Sequence, residues 1–240
     1  MPSMRRALAI LMLLLVFLSA TPGLTVARPR PRYPVVFIPG LAGSELYNGN
    51  QLVWVNLGQE LRARLPVVRW FMRDGVRSLA LKPDGQTPAS PSYRIRVGSV
   101  LRPGPTGFYS GWINAMDMYG YRRNRNLFIH TYDWRKSIRE AADGLEPVVA
   151  EALRRTGSDK VILVGHSMGG AVAREYIVRT GGRNVVGLVA AGTPWLGAPI
   201  AWKVLQRGEN FGIRLDGAPV SIKLDPVLKQ LGQNFPSLNE

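Results

Sequence analysis

The chain has 240 residues, of which 46% are hydrophobic, a formal net charge of +15 and no cysteine. That length and apolar content suit one α/β domain with a real core and exclude a disordered chain. The missing thiol excludes a disulfide framework, a cysteine nucleophile, a thiolate metal site and a lipid-modified cysteine anchor. With only two histidines, His130 and His166, no metal or other cofactor is expected.

Met1 to Ala27 has the build of a secretory signal peptide. Arg5 and Arg6 give a positive start, Ala7 to Ser19 is apolar but short for a membrane span, and Thr25-Val26-Ala27 offers a cleavage site. An uncleaved N-terminal anchor is the alternative. Either way the expected location is secreted or periplasmic, and residues 28–240 form the domain proper. The basic residues are scattered, with small groups at Arg28–Arg32 and Arg122–Arg125 and no nucleic-acid motif beside them. An anionic membrane surface is the partner such a charge would attract, and a solvated basic face without a partner explains it equally well. Oligomeric state is not encoded in any recognisable pattern.

Val35 to Ile38 is a short, branched, fully apolar run, the signature of a buried strand in a mostly parallel sheet. It stops at Pro39-Gly40-Leu41-Ala42-Gly43-Ser44, a tight loop. From Tyr47 to Gly111 the chain is irregular, with Trp54, Trp70, Phe71, several prolines and glycines. This predicts a cap- or lid-like insertion over the sheet. A helix is expected over Trp112–Tyr121 and a strand over Asn126–Thr131. Ser137-Ile138-Arg139-Glu140 has capping-box spacing, so a helix should start there, run to Arg155 and close at Gly157, with Pro147 kinking or splitting it. Val161–Val164 predicts a second buried strand, Ala171–Arg179 a helix stopped by Gly181-Gly182, and Val185–Ala190 a third strand ending at Gly192-Thr193-Pro194. The alternation implies right-handed crossovers, a parallel sheet and helices on both faces.

Gly165-His166-Ser167-Met168-Gly169 matches G-x-S-x-G. The motif alone is weak; the strand before it and the helix after it give it weight. A nucleophile elbow reverses the chain within a few residues, so the flanking glycines must lack side chains and the serine is strained. Ser167 is thus the expected nucleophile. The backbone N–H of Met168 and, from the loop after the earlier strand, that of Leu41 are the expected oxyanion donors. His166 sits on the elbow itself and reads as a packing residue. His130, at a strand's C-terminal end, is placed to line a pocket. In this kind of elbow the order is serine, acid, histidine, yet no histidine follows Ser167, and Asp216 and Asp225 fall in irregular sequence. The chain therefore reads as the N-terminal part of a longer hydrolase, with acid and base beyond Glu240. A non-catalytic lipid- or surface-binding fragment and an esterase for non-lipid esters are the competing readings.

Four segments resemble the lecithin–cholesterol acyltransferase family. They are Pro34 to Leu46, Tyr132-Asp133-Trp134-Arg135, Val164 to Gly170 and Ala191 to Ala198. The resemblance implies an α/β-hydrolase core with cap or lid regions, and acyl transfer from phospholipid-like esters to water or an alcohol through an acyl-enzyme on Ser167. It implies an oxyanion donor at Leu41, a membrane-binding and first lid region at Tyr47–Gly111, and the start of a second lid from Trp195 onward, within 195–240. The family's lid disulfide has no counterpart here. Asp133 and Arg135 are expected to form a structural ion pair. Trp54, Trp70 and Trp195 are candidates for lipid contact or for core packing.

Overall fold

The computed structural model describes residues 31–54, 75, 77–101, 109–207 and 225–240. The signal-peptide segment, Trp70, Phe71 and Asp216 lie outside them. Strands β1 (Val35–Ile38), β5 (Leu127–Ile129), β6 (Val161–His166) and β7 (Val185–Ala191) form one parallel sheet in the order β5-β1-β6-β7. Helix α2 (Ile138–Thr156) connects β5 to β6, and α3 (Met168–Thr180) connects β6 to β7. This is the parallel sheet expected from the alternation, in the α/β-hydrolase class that the resemblance implies.

Side-chain alternation along the strands explains why the apolar runs have no polar face. Val36 and Ile38 of β1 and Leu163 of β6 join a core with Leu145 and Val149 of α2 and Val172 and Ala173 of α3. Phe37, Ile129 and Val164 point the other way, toward Tyr109, Trp112 and Ile113 at the start of α1 (Ser110–Met118). Phe37 stacks on Trp112 at 4.5 Å between ring centres. Helices therefore cover both faces, and a strand buried on both sides reads as continuous hydrophobicity.

The caps follow the sequence signals at α2. Ser137 Oγ accepts the Glu140 N–H at 3.0 Å, and Gly157 closes the helix in a left-handed conformation, φ 68°. Pro147 departs from expectation, because α2 runs through it as one helix. The carbonyl that loses its partner belongs to Asp143, and both residues lie on the exposed face of the helix, with Leu145 and Val149 buried on the other. α3 begins directly after Ser167, three residues earlier than the apolar pattern suggested.

The region from Tyr47 to Gly111 is more regular than its composition implied. β2 (Ser44–Asn48), β3 (Gln51–Trp54) and β4 (Ile95–Val100) form a small antiparallel sheet in the order β3-β2-β4. Its buried Glu45 accepts hydrogen bonds from the hydroxyls of Tyr47 at 3.1 Å and Ser99 at 2.9 Å, and Arg96 lies over the Tyr47 ring. Beyond β7, α4 (Pro199–Arg207) packs on α5 (Asp225–Gly232). The stretch after Asn234, polar in sequence, is anchored. Phe235 and Leu238 enter the core, Phe235 meets Trp134 edge-on, and Glu240 Oε2 accepts the Ile138 N–H at 2.7 Å. That carboxylate sits at the N-terminus of α2, where an unpaired N–H and the helix dipole both favour it.

Candidate active site

β1 and β6 run side by side with Ile38 opposite Gly165, so the loop after β1 and the turn after β6 emerge together at one sheet edge. Ser167 occupies that turn with φ 52° and ψ −126°, a conformation that side-chain-bearing residues rarely adopt and that costs about 1–3 kcal/mol. Two hydrogen bonds hold it there. The Ser167 N–H donates to the Ala191 carbonyl of β7 at 2.8 Å, and its carbonyl accepts the Gly170 N–H at 3.0 Å.

Steric facts account for the glycines. A Cβ on Gly165 would lie 2.5 Å from the Gly170 backbone, and one on Gly169 would lie 2.2 Å from the Ile38 carbonyl oxygen. On Gly170 it would meet Thr193 Oγ1 at 1.9 Å. Gly40 is the counterpart in the facing loop, since its Cβ would come within 2.9 Å of Ser167 Cβ. The loop and the elbow are thus in contact. The Leu41 N–H and the Met168 N–H, which flank this contact, donate to nothing among the described residues.

The loop is held by four side chains from three other parts of the chain. The Tyr132 hydroxyl donates to the Pro39 carbonyl at 2.8 Å, and the Tyr109 hydroxyl accepts the Gly40 N–H at 3.0 Å. Trp54 Nε1 donates to the Ala42 carbonyl at 2.8 Å and Trp134 Nε1 to the Ser44 carbonyl at 3.2 Å. Trp54 is therefore a buried anchor, which decides between lipid contact and core for this residue. Arg135 and Asp133 form a two-point ion pair, at 2.8 and 2.6 Å, and Arg135 Nη1 also donates to the Leu79 carbonyl at 2.7 Å. They tie the segment under the loop to the chain near Leu79, the structural part expected of them. The sequence marks Tyr132 and Trp134 only through the family likeness. It has no signal for Tyr109, whose neighbours in sequence carry no pattern.

A profile described as "Lecithin:cholesterol acyltransferase" matches residues 95–222, more than half the chain and spanning the elbow. The chain belongs to the lecithin:cholesterol acyltransferase family. Among curated members it is 26% identical to "Lecithin-cholesterol acyltransferase-like 4" of Arabidopsis thaliana, over 69% of this chain and 35% of that protein. It is 25% identical to the "Lysosomal phospholipase A and acyltransferase" of Bos taurus, over 75% of this chain and 51% of that protein. The chain therefore spans between about a third and a half of the length of these relatives. A solved structure, the "Tle4-Tli4 complex", is 18% identical with a TM-score of 0.46, covering 75% of this chain and 49% of that one.

In this family member the two histidines lie apart in role. His166 is half-buried on the α1 side of the sheet, where its Nδ1 shares a 3.0 Å hydrogen bond with the Tyr109 hydroxyl; burial lowers its pKa. That agrees with a packing role. His130 is 4% exposed, stacks on Tyr132 at 5.5 Å and donates from Nε2 to the Ala141 carbonyl at 2.8 Å. It lines a cavity of about 280 Å³ between β5 and α2, together with Asp133, Lys136 and Glu140. No elbow residue lines that cavity, so His130 lines a pocket, but not one it shares with Ser167.

Desolvation holds the His130 imidazole at about 4, below its ordinary 6.5. Above pH 6.5 both folded and unfolded chains keep it neutral. Between 6.5 and 4 the unfolded chain takes a proton that the folded one refuses, so stability falls as pH falls. By pH 4.5 the loss should reach about 2–3 kcal/mol. In urea unfolding, His130→Gln is expected to lose that much less than the parent protein between pH 7 and pH 4.5; equal losses would refute the assignment.

Asp225, expected in irregular sequence, instead opens α5. Trp195 is 53% exposed and Leu196 fully exposed just beyond β7, whose last carbonyl holds Ser167, and Trp202 on α4 is 58% exposed. Among the described residues no group of three or more His, Asp or Glu side chains gathers as metal ligands, and no helix is long and apolar enough to cross a membrane.

Proposed function

We propose that this chain carries the nucleophile of a serine acyl-ester hydrolase or O-acyltransferase acting on phospholipid-like esters at a lipid surface. The observation that carries the reading is the contact between a strained Ser167 and the Gly40–Leu41 loop, with two undirected N–H groups beside it. In the proposed reaction Ser167 Oγ attacks the ester carbonyl and gives its proton to a base. The carbonyl oxygen becomes an oxyanion that the Leu41 and Met168 N–H groups stabilise, each worth about 3–4 kcal/mol. Collapse expels the alcohol, which takes up a proton, and leaves an acyl group on Ser167. Water or a second alcohol then attacks the acyl-enzyme and restores the serine. Neither of the chain's two histidines is the base in this reading, because both are engaged elsewhere.

Three things support a lipid ester over a soluble one. The family's described members include a phospholipase and acyltransferases. Large apolar side chains at Trp195, Leu196 and Trp202 are exposed on the segment that follows the nucleophile's sheet edge. The net charge of +15 favours an anionic surface. A secreted or periplasmic location belongs to the same proposal.

The test is labelling with a fluorophosphonate and hydrolysis of phospholipid vesicles against soluble short-chain esters, using the protein as its gene encodes it. Adduct on the Ser167 peptide, none on Ser167→Ala, and preference for vesicles are expected. Equal labelling of the two forms refutes the nucleophile; preference for soluble esters refutes the lipid substrate.

A further inference from the structure

The loop beside Ser167 is built from two successive peptide units, and each is fixed at defined atoms. The Pro39–Gly40 peptide is gripped at both ends: Tyr132 donates to its carbonyl, and Tyr109 accepts from its N–H. The Gly40–Leu41 peptide has its carbonyl taken by the Gly43 N–H at 3.0 Å. In a trans peptide the N–H points opposite to the C=O, so fixing the Gly40 carbonyl fixes the direction of the Leu41 N–H. Gly40 has no side chain to brace it and abuts Ser167, so the dihedral between the two planes is set by what holds each plane.

The Tyr109 hydroxyl is itself held in place. It also shares a hydrogen bond with His166 Nδ1 at 3.0 Å, one residue before Ser167, and its ring meets Phe37 edge-on at 5.0 Å and His166 edge-on at 5.5 Å. Tyr109 is 5% exposed, and burial pushes its phenol up, so it stays an un-ionised hydroxyl at neutral pH. One hydroxyl thereby bridges the loop that follows β1 and the strand that carries the nucleophile.

We propose that Tyr109 is a positioning residue for acyl transfer, holding the Gly40–Leu41 backbone in register with Ser167 by bridging the Gly40 N–H and His166 Nδ1. This rests on the serine-hydrolase reading above. Without the hydroxyl the ring still fills its place, but the Pro39–Gly40 peptide keeps only its Tyr132 contact and can rotate. The N–H that follows then swings away from the developing oxyanion. Its effect falls on the transition state, where the oxyanion exists, and leaves ground-state ester binding alone.

The experiment compares Tyr109→Phe, Val149→Ala and the parent protein. Val149→Ala thins the core on the opposite face of the sheet, away from Tyr109 and the loop, and serves to separate loss of stability from loss of positioning. A fluorophosphonate adduct is tetrahedral and places an oxygen where the oxyanion forms, so its rate of formation reports the loop directly. Tyr109→Phe is expected to lower both the labelling rate and kcat by roughly tenfold to a hundredfold, with KM within about twofold. Val149→Ala is expected to lower the melting temperature while labelling at the parental rate. Parental labelling by Tyr109→Phe, or an equal loss of labelling in Val149→Ala, overturns the proposal. Failure of the parent protein to label at Ser167 at all would instead sink the serine-hydrolase reading on which it rests.

Discussion

Replacing Ser167 with glycine is expected to make the protein more stable and catalytically dead at once. The residue sits at φ 52° and ψ −126°, and glycine is the one residue that takes such angles without a Cβ clash. Relief of about 1–3 kcal/mol of strain is partly offset by the greater freedom of glycine in the unfolded chain, leaving a net gain of about 1 kcal/mol. For a chain of this size that raises the melting temperature by roughly 2–4 °C. In the proposed mechanism the Ser167 hydroxyl is the attacking group, and its removal should lower kcat/KM by about four to six orders of magnitude. Ser167→Ala separates the two effects, since it deletes the hydroxyl but keeps the strain. Calorimetry and ester hydrolysis on the three forms check this: both variants inactive, but only the glycine form stabilised. An alanine form as stable as the glycine form would show that the backbone at this turn stores no strain.

Gly169→Ala is expected to damage stability and activity together. The added methyl would lie 2.2 Å from the Ile38 carbonyl oxygen and 2.6 Å from that of Pro39, and both are backbone atoms with no rotamer to yield. The start of α3 and the end of β1 must therefore part. Overpacking of this kind costs about 3 kcal/mol or more, a fall of roughly 6–12 °C in melting temperature. The same displacement pulls Ser167 from the Gly40–Leu41 loop, and a misplacement near 1 Å costs about a hundredfold in rate. Gly187→Ala in β7 is the matched comparison, because a methyl there meets nothing within 4 Å, and a change within about 0.5 kcal/mol is expected. Similar melting temperatures for the two variants would refute the steric account.

The elements that were legible in the sequence are those whose cause is local. β1, β6 and β7 announced themselves as branched apolar runs, the cap of α2 as Ser137 three residues before Glu140, and the elbow as glycines around Ser167. The small antiparallel sheet is not legible in the sequence. Its period-two signal at Ile95-Arg96-Val97 is brief, Gly98 interrupts it, and β4 pairs with β2 across the intervening chain. Pro147 does not split α2, because the rest of the helix supplies enough burial, through Leu145 and Val149, to carry one missing hydrogen bond. Trp54 could not be placed from sequence, since a tryptophan is equally suited to an interface and to a core with a hydrogen-bond acceptor. The Ala42 carbonyl supplied that acceptor.

By itself the sequence located the G-x-S-x-G turn at Ser167 and the strand and helix on either side of it, because apolar periodicity and glycine spacing act within a few residues. Only the tertiary structure decided what holds the loop opposite Ser167. Its clamps come from Tyr109, 69 positions beyond Gly40, and from Tyr132, 93 beyond Pro39. Hydrogen bonds of that range acquire partners only when the sheet has brought its C-terminal edges together, and no local pattern encodes which hydroxyl will meet which peptide.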